Sequence, residues 1–164
     1  MTKDVDLLKD ILDSILYEEN GGTDITQEAF DLTDIFVDRY FKIDFTQVIV
    51  DSLQSNSDLR KVGTLLDILI WSTPDNGTKL DSLIHDWITS NDKTKIEILL
   101  LREEWFPRTD RDENTKVLES VKQKFPEFTD LCNYYIDEFD YDAKHHMRRM
   151  DIFYKLVGKR RNSS

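Results

Sequence analysis

From its first residues the chain places Val5, Leu8, Ile11, Leu12, Ile15 and Leu16 at steps of three and four. That is the α-helical period, so the pattern predicts a helix over 5–16 with one apolar face, ended by Gly21-Gly22. A second helix opens at Thr26, whose hydroxyl suits an N-cap, with Glu28 in its first turn; Phe30, Thr33, Val37, Tyr40 and Phe41 line one face. Asp44 caps a third, shorter helix through Phe45, Val48, Ile49 and Leu53, although residues 45–50 read equally as a strand. Ser57 opens a long helix through Leu59, Val62, Leu65, Leu66, Leu69 and Ile70, which Thr73-Pro74-Asp75-Asn76-Gly77 breaks with turn chemistry.

Thr78-Lys79-Leu80-Asp81 resembles a capping box with Asp in place of Glu, opening a fifth helix through Leu83, Ile84, Trp87 and Ile88. Asn91 or Asp92 starts a sixth, running through Ile96, Leu99, Leu100 and Glu103 to Trp105-Phe106, where Pro107 imposes a stop. A seventh spans roughly 112–125, an eighth begins at Pro126 and holds Phe128, Leu131, Cys132 and Tyr135, and a ninth spans roughly 140–156. Short loops between the middle helices make neighbours antiparallel. The expected fold is all-α, a multi-helix bundle or short HEAT-like α-solenoid of about eight to nine helices. It is expected to form a single domain over 1–164, with a frayed basic tail at 157–164 and no linker-like segment inside.

Composition supports that reading. Five Gly and three Pro in 164 residues favour long regular elements over turn-rich sandwiches and barrels. The one cysteine, Cys132, rules out an internal disulfide framework, and Met1-Thr2-Lys3-Asp4 lacks the basic-then-apolar pattern of a secretion signal, so a reducing, cytoplasmic setting is expected. The longest apolar runs, Ile68 to Trp71 and Ile98 to Leu101, are core-sized, and no membrane span is expected.

Charge changes the picture more. The net charge is −11, yet residues 1–58 hold 14 acids against 4 bases, and residues 59–164 hold 19 against 18. From Ala143 onward seven bases face one acid, Asp151. On helical wheels Asp6, Asp10 and Asp13 fall within about 60°, and Glu28, Asp31, Asp34 and Asp38 within about 120°, with Ile35 inside the second arc. A solvated outer face explains such carboxylates as a source of solubility. Stacked carboxylates around a lone apolar residue also suit a cationic partner, which makes Asp31, Asp34, Ile35 and Asp38 candidate binding residues. Glu103, Glu104 and Trp105, and separately Tyr134, join aromatic and acidic groups near helix ends in a way that suits a basic, Arg-rich surface. Trp71, Trp87 and Trp105 each close an apolar run and otherwise read as core plugs.

Catalytic chemistry finds little support. His145 and His146 diverge by about 100° on a helix, and His85 stands alone, so no metal ligand set emerges. Asp110-Arg111-Asp112-Glu113 lacks the glycine and final glutamate of a calcium loop and reads as a helix start. Cys132 sits among Phe128, Leu131 and Tyr135 like an inert core thiol, and neither a serine elbow nor a phosphate-cradling glycine loop occurs. The basic tail suits its own helix dipole or the acidic half of the chain better than phosphate. The expectation is a protein without catalytic activity, cofactor, metal, nucleic-acid or membrane partner.

In size, helical character and acidity the chain resembles the bacterial immunity proteins that neutralise polymorphic or contact-dependent toxins. The resemblance rests on no motif, so it assigns no residues. It implies a tight, reversible inhibitor of a cognate basic toxin, often a nuclease, blocked by acidic side chains. Two rivals follow from the residues themselves: a HEAT-like scaffold that binds a peptide or partner helix in a groove, and an enzyme assembled from distant carboxylates.

Overall fold

The first helix stops earlier than its apolar spacing predicts, because a serine and a threonine intervene. In the computed structural model, which describes residues 2–103, 110–137 and 152, α1 spans Thr2–Asp13. Ser14 folds back on it, donating its N–H and its hydroxyl to Asp10 O at 3.1 and 2.8 Å. The Thr26 hydroxyl donates to Ser14 O at 2.8 Å and accepts the Ala29 N–H at 3.2 Å, so one side chain caps the next helix and ties down the end of the first. Between them Ile15 and Leu16 leave the helix for β1 (Ile15–Tyr17), which pairs with β2 (Thr23–Ile25) in a two-stranded ribbon. Their burial then alternates with the strand period: Ile15 is buried and Leu16 exposed. The turn is closed by the Glu18 N–H on Gly22 O, the Gly22 N–H on Asn20 Oδ1, and Gly21 at φ 92°.

The chain divides into two compact units, Met1–Leu16 with Thr23–Glu104, and Tyr17–Gly22 with Trp105–Ser164. The described residues of both are predominantly helical. In the first, α2 (Gln27–Tyr40) is followed by α3 (Phe45–Ser52). Asp44 accepts the Gln47 N–H at 3.0 Å and the Thr46 hydroxyl at 2.6 Å, which makes 45–50 helix rather than strand. Next come α4 (Leu59–Ser72), capped by Asp58 rather than Ser57, and α5 (Thr78–Ile84). Ser57 instead serves the preceding turn, accepting the Gln54 N–H.

The capping box expected at Thr78 does not form. Gly77, at φ 83°, holds the N-cap position, while Asp75 takes the Lys79 N–H on Oδ2 and the Thr78 hydroxyl on its carbonyl. The helix also ends at Ile84, and Trp87 and Ile88 are buried from a separate 3-10 turn, Trp87–Thr89. Asp92 caps α6 (Lys93–Leu101), which closes four residues before Trp105 because Arg102 turns extended.

α4 organises this unit. Val62, Leu65, Leu66 and Leu69 are buried on one side, and Arg60, Gly63, Thr64 and Ile68 on others, so water reaches little of it before its last turn. It contacts α1, α2, α5 and α6. Two lysines fasten the surrounding helix ends: Lys61 Nζ donates to Leu12 O at 3.0 Å in the last turn of α1, and Lys79 Nζ donates to the carbonyl of Phe41, the C-cap of α2.

The second unit holds α7 (Arg111–Lys124), the 3-10 turn Pro126–Phe128 and α8 (Thr129–Asp137). Asp110 caps α7 by accepting the Glu113 N–H at 2.9 Å, as a helix start requires. Leu118 and Val121 pack with Leu131, Cys132 and Tyr135, and the buried Asn114 amide donates to Tyr135 O. The ninth helix and the basic tail lie outside the described residues. Among the described residues no helix is long and apolar enough to cross a membrane.

The α4–α6 contact is set by Gly63. A β-carbon there would sit 3.1 Å from both Arg102 N and Ile98 O, and backbone cannot swing aside as a side-chain tip can. Gly63→Ala gains about 1 kcal/mol in helix propensity and loses about 1–3 kcal/mol to overpacking. A net loss of about 0–2 kcal/mol, read as a lower urea midpoint at unchanged slope, is expected.

Candidate partner-binding face

The Thr26 cap fixes the rotation of α2, placing Ala29, Thr33, Phe36 and Val37 inward. The opposite arc, Glu28, Asp31, Asp34, Ile35 and Asp38, is exposed, and Ile35 shows 48% of its surface. On α1 the same separation buries Leu8, Ile11 and Leu12 and exposes Asp6, Asp10 and Asp13. Asp13 pairs with Lys9 at 2.7 Å, and that hydrogen bond raises the lysine pKa, but both groups are solvated and the pair does little for stability.

What distinguishes this unit is where its bases go. Arg60 and Arg102 are buried; Lys61, Lys79 and Lys95 are half-buried, the last donating to Gln47 Oε1 at 3.3 Å with its ammonium 5.4 Å from the Trp87 ring. Among the described residues of the first unit, 13 Asp and Glu are exposed against 4 Lys and Arg, namely Lys9, Arg39, Lys42 and Lys93. The interior has taken the cations, so the shell is more acidic than the composition.

Of the other candidate residues, Glu103 is half-buried and Tyr134 is buried. Glu103 Oε1 accepts the Thr23 hydroxyl at 2.9 Å and lies 3.6 Å from Arg60 Nη2, so this carboxylate is spent on an internal contact. Tyr134 is 2% exposed, its ring edge-on to Tyr135 at 5.2 Å, because the apolar face of α8 turns it into the core. Glu104 and Trp105 lie outside the described residues. Trp87 is buried as a core plug should be, whereas Trp71 is 75% exposed.

Comparison with known proteins finds no matching family model, no matching curated protein and no matching solved structure. Function must therefore be argued from the molecule's own surface.

Beneath the acidic shell lies a cluster that the sequence reading missed. Arg102 Nε donates to Asp67 Oδ1 at 2.7 Å, and the Glu103 N–H donates to Asp67 Oδ2 at 3.2 Å. One carboxylate of α4 thus holds the chain where it leaves α6. Burial pushes the Asp67 carboxyl above its ordinary range, against the downward pull of the guanidinium. The signal was present: Asp67 is the one charge in Val62 to Trp71, and Arg102 directly follows Ile98-Leu99-Leu100-Leu101. A lone charge in an apolar run demands a buried partner.

Among the described residues no three His, Cys, Asp or Glu side chains are grouped to hold a metal ion. Cys132 is buried, and burial drives its thiol up to about 12. At pH 8 it is therefore almost wholly protonated, and a thiolate-directed reagent should label native protein at a small fraction of the rate seen in urea. Comparable rates in both would contradict this burial. For the clamp, Asp67→Ala strands a buried guanidinium and should cost about 3–5 kcal/mol, whereas Asp67→Ala with Arg102→Met should recover most of that loss. A double-mutant cycle by chemical denaturation checks it, and additive losses would rule the coupling out.

Proposed function

We propose that this chain is a non-catalytic binding protein that captures a basic protein partner through the exposed face of α1 and α2, as an immunity protein inhibits its toxin. The observation that carries the reading is the 13-to-4 excess of exposed acids over bases among the described residues of the first unit. A field of one sign raises encounter rates with an oppositely charged protein and repels polyanions. Ile35, ringed by Asp31, Asp34 and Asp38, supplies the apolar contact that charge alone lacks, since ion pairs at a wet rim steer more than they hold. A cytoplasmic setting suits the reduced, buried Cys132. For the architecture we favour a bundle gathered around α4, which packs against α1, α2, α5 and α6, over a HEAT-like solenoid.

The reading separates two kinetic effects. Against a basic candidate such as the product of an adjoining toxin gene, Asp31→Asn/Asp34→Asn/Asp38→Asn should lower the association rate by about tenfold or more at low salt and flatten its salt dependence. Ile35→Ala should leave association unchanged and speed dissociation. Surface-plasmon kinetics at two ionic strengths decide the matter; a partner that binds equally at both would eliminate the acidic-face mechanism.

A further inference from the structure

Trp71 is the largest apolar side chain that the first unit leaves in water, and its exposure has a local cause. After α4 ends, the Gly77 N–H donates to Thr73 Oγ1 at 2.9 Å, and the turn folds back until a β-carbon at Gly77 would lie 3.3 Å from Ile70 Cα. The turn therefore covers the Ile70 side of the last helical turn. Trp71, about 100° further round the helix, stays 75% exposed.

Elsewhere the protein repeatedly sets cations over its rings: Lys79 at 5.0 Å from the Phe41 centroid, Lys95 at 5.4 Å from Trp87 and Lys124 at 5.6 Å from Phe125. Among the described residues no cation or ring stacks on Trp71, although indole offers the strongest π-face for one. The last turn of α4 also contains no basic residue of its own to offset the partial negative charge at its carbonyl end. Among the described residues of the unit exposed acids outnumber exposed bases 13 to 4, so the charge that complements its surface is positive.

We propose that Trp71 anchors the partner interface, its open indole face stacking against an arginine guanidinium of the basic protein. This rests on the reading of the chain as a binder of a basic partner and assigns it a contact residue. A planar guanidinium can stack flat on the indole while its N–H groups remain free for carboxylates or helix carbonyls, which an ammonium does less well.

The test uses the full chain labelled with 5-fluorotryptophan, whose three 19F resonances include the one that Trp71→Phe removes. Titration with a poly-arginine peptide at low salt should shift that resonance saturably, and a poly-lysine peptide of equal charge should shift it less. Trp71→Ala, folded by circular dichroism because the side chain is exposed, should weaken poly-arginine binding roughly two- to thirtyfold, with Trp71→Phe intermediate. If poly-arginine binds and the Trp71 resonance does not move, the anchor is overturned while the acidic-face reading survives. If neither peptide binds at low salt, both fall.

Discussion

Asp67 joins two requirements that pull in opposite directions. α4 must be apolar enough to serve as the buried centre of the first unit, yet it carries this carboxylate, which the fold keeps only because Arg102 meets it at 2.7 Å. Removing two charges from water can cost more than their attraction returns, and burial pushes the Asp67 carboxyl above its ordinary range against the pull of the guanidinium. What the pair supplies is position. It fixes where α6 stops, and the Glu103 N–H on the same carboxylate fixes the first residues beyond. Gly63 completes the constraint by letting the α6 backbone come close enough for Arg102 to reach.

From that close approach the distribution of charge follows. A core built around one central helix leaves carbonyl ends of neighbouring helices facing inward, and Lys61 and Lys79 satisfy two of them. Arg60 and Arg102 meet carboxylates inside the same unit. Each base used this way is one that no longer offsets a surface carboxylate. The acidity of the shell is thus partly a by-product of how the interior is fastened.

Much of this was legible in the sequence where one residue decides one turn. The Asp44 cap, the helix starts at Asn91 or Asp92 and within 110–113, the acidic arc of α2 with Ile35 inside it, and the break at 73–77 depend on neighbours within a few positions. The failures came where local signals competed. Apolar spacing continued through Ile15 and Leu16, but the Asn20-Gly21-Gly22 turn and the Ser14–Thr26 tie outweighed it and made a strand. Tyr134 carried the right chemistry for a surface but long-range packing buried it, and no window of neighbouring residues contains Thr23, Arg60 and the half-buried Glu103 together.

Trp71 reverses the same lesson. Closing an apolar run made it look like a plug, because periodicity counts apolar residues without knowing which side of a helix the next turn will cover. Here the Gly77 turn covers Ile70, and the ring one position on is left in water. Lysines lie over Phe41, Trp87 and Phe125, whereas the ring of Trp71 is left to solvent by the same packing that covers Ile70.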